Sequence, residues 1–156
     1  MTTKILLLVT LLAYSMVVSQ SFMYLISLKT VQLNLDADAY TQFRKLIDAS
    51  MRANFKYVIY TALISTLLLV VLTARNPGSL LFLCAALAFV ALVLDVAIMM
   101  KGNLPINDVI NSWTSDNIPA DWSSYRDKWL QLYGYRQMAS ILGFLSLLVG
   151  AVFGGR

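Results

Sequence analysis

Four long apolar runs, at residues 5–28, 57–73, 80–100 and 130–153, alternate with short polar segments along the chain. Each run approaches the ~20 residues that a helix needs to cross a hydrocarbon core. In lipid a single segment can satisfy its own backbone only as a helix. The pattern therefore predicts an all-α, four-span transmembrane helical bundle in a single domain covering residues 1–156, with helical extensions of spans two and four on one side.

The segments between the runs refine this picture. The first span is expected to end near Lys29, where Asn34, Asp36 and Asp38 favour a turn and a new helix start. From there Tyr40, Phe43, Ile47, Met51, Phe55 and Val58 recur at helical spacing, with Arg44, Lys45, Asp48 and Arg52 between them. This amphipathic stretch runs into span two. Residues 38–74 together make a rod of about 55 Å, which projects several turns beyond a bilayer.

Arg75-Asn76-Pro77-Gly78 reads as a tight turn that makes spans two and three antiparallel neighbours. The stretch from Gly102 through Pro105 to Asn107 is expected to break the third helix, with a short helix following over residues 106–113. Pro119-Ala120-Asp121 then opens the last helix, with Asp121 as its expected N-cap.

Composition points the same way. Of 156 residues 59% are hydrophobic and only 13% charged, too few polar groups to cover an ordinary globular surface. The first twenty residues imitate a signal peptide, but the apolar run continues too far for one, and it reads as a retained first helix. The twelve Lys and Arg against eight Asp lie mostly near helix ends, as an interface rather than a nucleic acid would require. Lys4, Arg75 and Arg156 mark the side of the termini. The other basic residues outside the spans mark the side of the long connections, which argues against a cytoplasmic N-terminus. With no histidine, no glutamate and one cysteine, Cys84, the chain lacks the residues for imidazole or multi-thiolate metal sites and for any internal disulfide.

Asp95 is the one acidic residue inside a span, where insertion costs about 2.5–3.5 kcal/mol. Arg136, a little way into span four, is the expected partner at similar depth. A structural ion pair between spans three and four and a functional site are both open at this point. Span one offers Gln20 and Tyr24, span two Asn54, Thr61 and Ser65, and span four Tyr133, Arg136, Ser140 and Gly143 at compatible spacing. Such residues serve as packing contacts between membrane helices or, pooled at one depth, as a polar pocket. Trp113, Trp122, Tyr125 and Trp129 form either an interfacial belt or an aromatic cap over that pocket.

The sequence Asn103-Leu104-Pro105-Ile106-Asn107, followed by Pro119-Ala120-Asp121-Trp122, Arg126, Trp129 and Arg136, resembles the Pro-x-Asn and Trp-x3-His-x2-Arg elements of a family of small four-span membrane proteins of largely unknown function that includes anthrone-oxygenase-like members. The resemblance is specific in the last third and one of layout elsewhere. It implies oxidation of anthrones to anthraquinones by molecular oxygen, with no metal or flavin as cofactor. Where the family carries histidine this chain has Tyr133, and an unperturbed phenol, with a pKa near ~10, is a poor base at neutral pH.

Two function classes follow. In the enzyme reading Asp95, Tyr133 and Arg136 carry the chemistry, while Gln20, Asn54, Asn107, Trp122 and Trp129 bind the ligand. In the other, the chain is a non-catalytic binder of a lipid or small molecule, or an accessory subunit of a membrane complex. A proton-coupled transporter ranks behind both, because it rests on Asp95 alone. The expected partners are membrane lipids, a hydrophobic aromatic small molecule, and further copies of the chain or other subunits. The expected setting is multi-pass insertion in a bacterial inner membrane.

Overall fold

In a computed structural model that describes residues 2–154, every regular element is helical. The elements are α1 (Thr2–Met23), α2 (Lys29–Asn34), α3 (Ala37–Thr73), α4 (Leu80–Ile98), α5 (Leu104–Ser112) and α6 (Trp122–Phe153). Two π-helical turns, Tyr24–Leu28 and Met99–Asn103, join α1 to α2 and α4 to α5 without a break. The chain therefore makes four continuous rods of 32 to 37 residues, each apolar enough to cross a membrane.

At 1.5 Å per residue these rods are about 48–55 Å long, well beyond the ~30 Å hydrocarbon thickness. The surplus lies on the side away from the Thr73–Leu80 connection, so the multi-pass bundle has a bilayer half and a projecting half. All four rods contribute to the projection, more than the extensions of spans two and four expected from the sequence.

Local chemistry explains most of the boundaries. Asp36 caps α3 by accepting from the Ala39 amide at 2.9 Å, and Ser79 caps α4 by accepting from Phe82 at 3.2 Å. Asp121 makes no such side-chain cap. The α6 start is closed instead by backbone bonds from Trp122 to Pro119 and from Ser124 to Asp121. The first rod does not stop at Lys29, because residues 24–34 contain no glycine or proline to end it. It ends where Leu35 turns extended ahead of the Asp36 cap. The third rod also survives Gly102 and Pro105. The chain widens into a π turn there, and Pro105 falls in the first turn of α5, where its missing N–H is tolerated.

The bilayer half packs through small residues. Ala85, Ala88 and Leu92 on α4 meet Tyr14, Val17, Ile59, Ala62, Leu69 and Leu147 in one buried cluster. A Cβ at Gly143 would sit 2.9 Å from the Tyr14 ring and 3.0 Å from Ala91, and one at Gly150 only 2.8 Å from Cys84. These glycines set how closely α6 approaches α1 and α4. The Ser21 and Ser140 hydroxyls meet at 2.7 Å across the α1–α6 seam. Outside, Leu8, Leu12, Leu67, Leu87, Leu142 and Val152 are exposed, as a lipid-facing surface requires. The projecting half has an aromatic core: Tyr24, Tyr40, Trp113, Trp129 and Tyr133 with Ile106 and Ile110.

Candidate ligand cavity

Between the end of α1, α3, the α4 π turn, α5 and α6 lies a cavity of about 540 Å³. Its deep walls are apolar: Phe55, Ile59 and Leu63 from α3, and Val96 from α4. Its roof is polar and comes from the projecting half. Asp48 lies about 37 Å along α3 from Thr73, while Leu63 lies only about 15 Å from it. The cavity thus reaches from the middle of the bilayer to headgroup level. Exposed Met23, Met51, Tyr60 and Met100 form its rim.

Asn107 organises the roof. Its Oδ1 accepts from Arg44 Nη2 at 2.8 Å and from Trp129 Nε1 at 2.8 Å, and its Nδ2 donates to Asp48 Oδ1 at 2.7 Å. The amide is fixed by these partners, because two pure donors face its oxygen and a carboxylate faces its nitrogen. The other Asp48 oxygen accepts from Asn111 Nδ2 and Arg52 Nε, both at 2.7 Å. Arg44 also donates through Nη1 to the Tyr24 hydroxyl at 3.1 Å, and its guanidinium lies 3.9 Å from the centre of the Trp129 ring. Trp129 stacks on Tyr133, with centroids 4.9 Å apart and planes 11° off parallel, and Tyr24 closes on Tyr133 at 4.2 Å. Asn103 Nδ2 donates to the Trp129 carbonyl at 3.0 Å, which ties the π turn to α6.

The π turns help to aim this constellation. Tyr24 begins one and Asn103 ends the other, so both helices change phase as they enter the roof.

The residues singled out from the sequence divide between the cavity and other places. Gln20, Asn107, Trp129, Tyr133 and Arg136 line the cavity. Gln20 sits near the rim, its amide facing the Met51 sulfur. Asp95 is not on the wall; it lies behind Arg136, whose Nε donates to Asp95 Oδ1 at 2.6 Å. Asn54 is exposed on α3 and bonds its own helix at the Ser50 carbonyl, 3.1 Å away. Trp122 packs against Tyr40, centroids 5.5 Å apart, and under the Arg126 guanidinium, away from the cavity.

Arg44 and Asp48 form the centre of the roof and were not among the candidates. In the sequence they stand among Lys45 and Arg52 as interleaved charges of an amphipathic helix, yet Arg44 is 3% exposed and Asp48 5%. A signal for them exists. The buried α3 face Thr73, Leu69, Thr66, Ala62 and Ile59 repeats at membrane-helix spacing, and the same repeat carried back through Phe55 arrives at Asp48, Arg44 and Thr41.

None of the protein-family models, curated proteins or solved structures with which the chain was compared matches it.

Proposed function

We propose that this membrane protein binds a hydrophobic small molecule with a polar head, the head under the Arg44–Asn107–Trp129 roof and the apolar body against Phe55, Ile59, Leu63 and Val96. One observation carries the reading: a cavity of about 540 Å³ that joins the polar Arg44–Asn107–Trp129 cluster to the apolar side chains of Phe55, Ile59, Leu63 and Val96. Its volume falls in the ~300–1,000 Å³ range of small-molecule sites. Lateral entry past Met23, Met51 and Met100 suits a ligand that partitions into the membrane first, and flexible methionines adapt to such a body.

The test is native mass spectrometry of the detergent-purified protein beside a Val96→Trp variant that fills the deep end. One copurified molecule per chain, lost in the variant, is the expected result. Ordinary phospholipid held equally by both would overturn it.

An anthrone-oxygenase-like activity is a second reading, favoured by the flat Trp129–Tyr133 wall on which a fused aromatic system would stack. It requires a proton acceptor at the cavity. Among the described wall residues the one carboxylate is Asp48, which already accepts from Asn107, Asn111 and Arg52. Asp95 is engaged by Arg136. Oxygen uptake on adding an anthrone, abolished by Asp48→Asn, would raise this reading to first place. Absence of uptake would remove it.

A further inference from the structure

Arg44 is a buried cation without a carboxylate. Among the described residues none approaches its guanidinium within ion-pair distance; the four ion pairs present involve Arg52, Arg126 and Arg136. Its two hydrogen-bond partners, Tyr24 and Asn107, are neutral, and the face of Trp129 supplies only a quadrupole. Two of the five guanidinium N–H donors are used in these bonds, and the buried Nε has no partner among the described residues.

Asp48 does not supply the missing charge. Both of its oxygens are taken up by Asn107, Asn111 and Arg52. Arg44, Arg52, Lys56 and Arg136 all line the cavity, against Asp48 alone. Adding Asp95, which holds Arg136, and Asp108, which holds Arg52, still leaves one net positive charge. A buried, unpaired guanidinium is costly unless an anion joins it. The cavity it lines gives an anion a way in.

We propose that Arg44 is the anion-binding residue of this cavity and that the ligand is a single-chain anionic amphiphile, its carboxylate or phosphate monoester against Arg44 and its chain against the apolar deep wall. This assignment rests on the reading of the cavity as a ligand site. Arginine suits the role because its planar fork recognises carboxylate and phosphate alike. A single chain suits a cavity of about 540 Å³ in which Phe55, Ile59, Leu63 and Val96 line the deep end.

The experiment is equilibrium binding of three tritiated probes of equal chain length to the detergent-purified full chain: palmitate, palmitoyl lysophosphatidate and hexadecanol. Palmitate or the lysophosphatidate is expected to saturate at one per chain with an affinity at least ~10-fold above that of hexadecanol, the size of effect a charge-assisted hydrogen bond gives. Whichever anion is preferred identifies the source. In Arg44→Gln that preference is expected to vanish while hexadecanol binding changes by less than about threefold. Arg44→Lys, which keeps the charge, retains part of it.

Equal affinity for palmitate and hexadecanol in the unaltered chain overturns the anion assignment and leaves the ligand cavity standing. Saturable binding of none of the three overturns both. Where Arg44→Gln fails to fold, the comparison in the unaltered chain still decides whether an anion is preferred, and a preference undiminished in Arg44→Lys assigns it to another cation of the wall and overturns the role of Arg44.

Discussion

Arg136 reaches Asp95 through a single contact, Nε to Oδ1 at 2.6 Å, with both side chains buried where α6 crosses α4. Removing one partner of such a pair leaves an uncompensated buried charge. Replacing both with apolar residues of similar size leaves none. Arg136→Met alone is expected to cost about 3–5 kcal/mol, and Asp95→Leu with Arg136→Met to recover most of that. Thermal unfolding in detergent of the two singles and the double completes the cycle. If the double variant is no better than the singles, the pair acts through something other than charge neutralisation.

Asn107 satisfies three groups at once: Arg44, Trp129 and Asp48. Asn107→Ala strands all three, and at about 1–3 kcal/mol for each buried unsatisfied group the roof should loosen markedly. The expected outcome is a lower melting temperature with a red-shifted tryptophan emission, as the loosened roof admits water to the Trp129 indole. An unchanged emission spectrum would mean that Trp129 is held by its stacking on Tyr133 alone.

Gly143 sits where α6 touches both neighbours, and an added methyl group would overlap the Tyr14 hydroxyl and press on Ala91. Gly143→Ala is expected to destabilise the bundle by about 1–3 kcal/mol through overpacking. Tyr14→Phe in the same chain removes the overlapping hydroxyl, at the loss of its 3.2 Å bond to the Ala88 carbonyl, and should restore part of the stability. Additive losses in the double variant would place the strain elsewhere.

Gln32 is fully buried in the projecting half, and neither its amide oxygen nor its nitrogen has a hydrogen-bond partner among the described residues. Gln32→Met keeps the volume and removes the desolvated amide. It is expected to be neutral to stabilising by up to about 2 kcal/mol, read as a rise in melting temperature. A clear fall would show that the amide is satisfied in the membrane-embedded protein.

The fold was legible because lipid imposes a simple rule: four apolar runs near the spanning length have to be helices, and the Asp36 cap and the turn at Asn76-Pro77-Gly78 locate where two of them start and stop. The Asp95–Arg136 pairing was also legible, since charges so deep have few partners. Arg44 and Asp48 were not, because charged residues on a projecting helix normally face water. Only the other rods, each running several turns past the bilayer, convert that face into an interior. The continuity of the third rod was hidden for a related reason. Gly102 and Pro105 ordinarily stop a helix, and nothing in their identity reveals that a π turn absorbs them.

Each π turn is in effect one residue added to an α-helical sequence, and one residue is about 100° of rotation. The membrane-embedded stretch of each affected rod and its continuation are therefore phased independently, like two keys cut on one shaft. α4 can keep Ala85, Ala88 and Leu92 against their neighbours while α5 presents Asn107 to Arg44, two demands that one uninterrupted periodicity would set against each other. Holding Met99–Asn103 α-helical at its present length would swing Asn107 about 100° off its partners, whereas deleting one residue there removes the π turn and leaves α4 and α5 in the same relative phase. The roof end of this rod thus takes its phase from where one extra residue is absorbed, a device that separates its side-chain register from that of the apolar crossing.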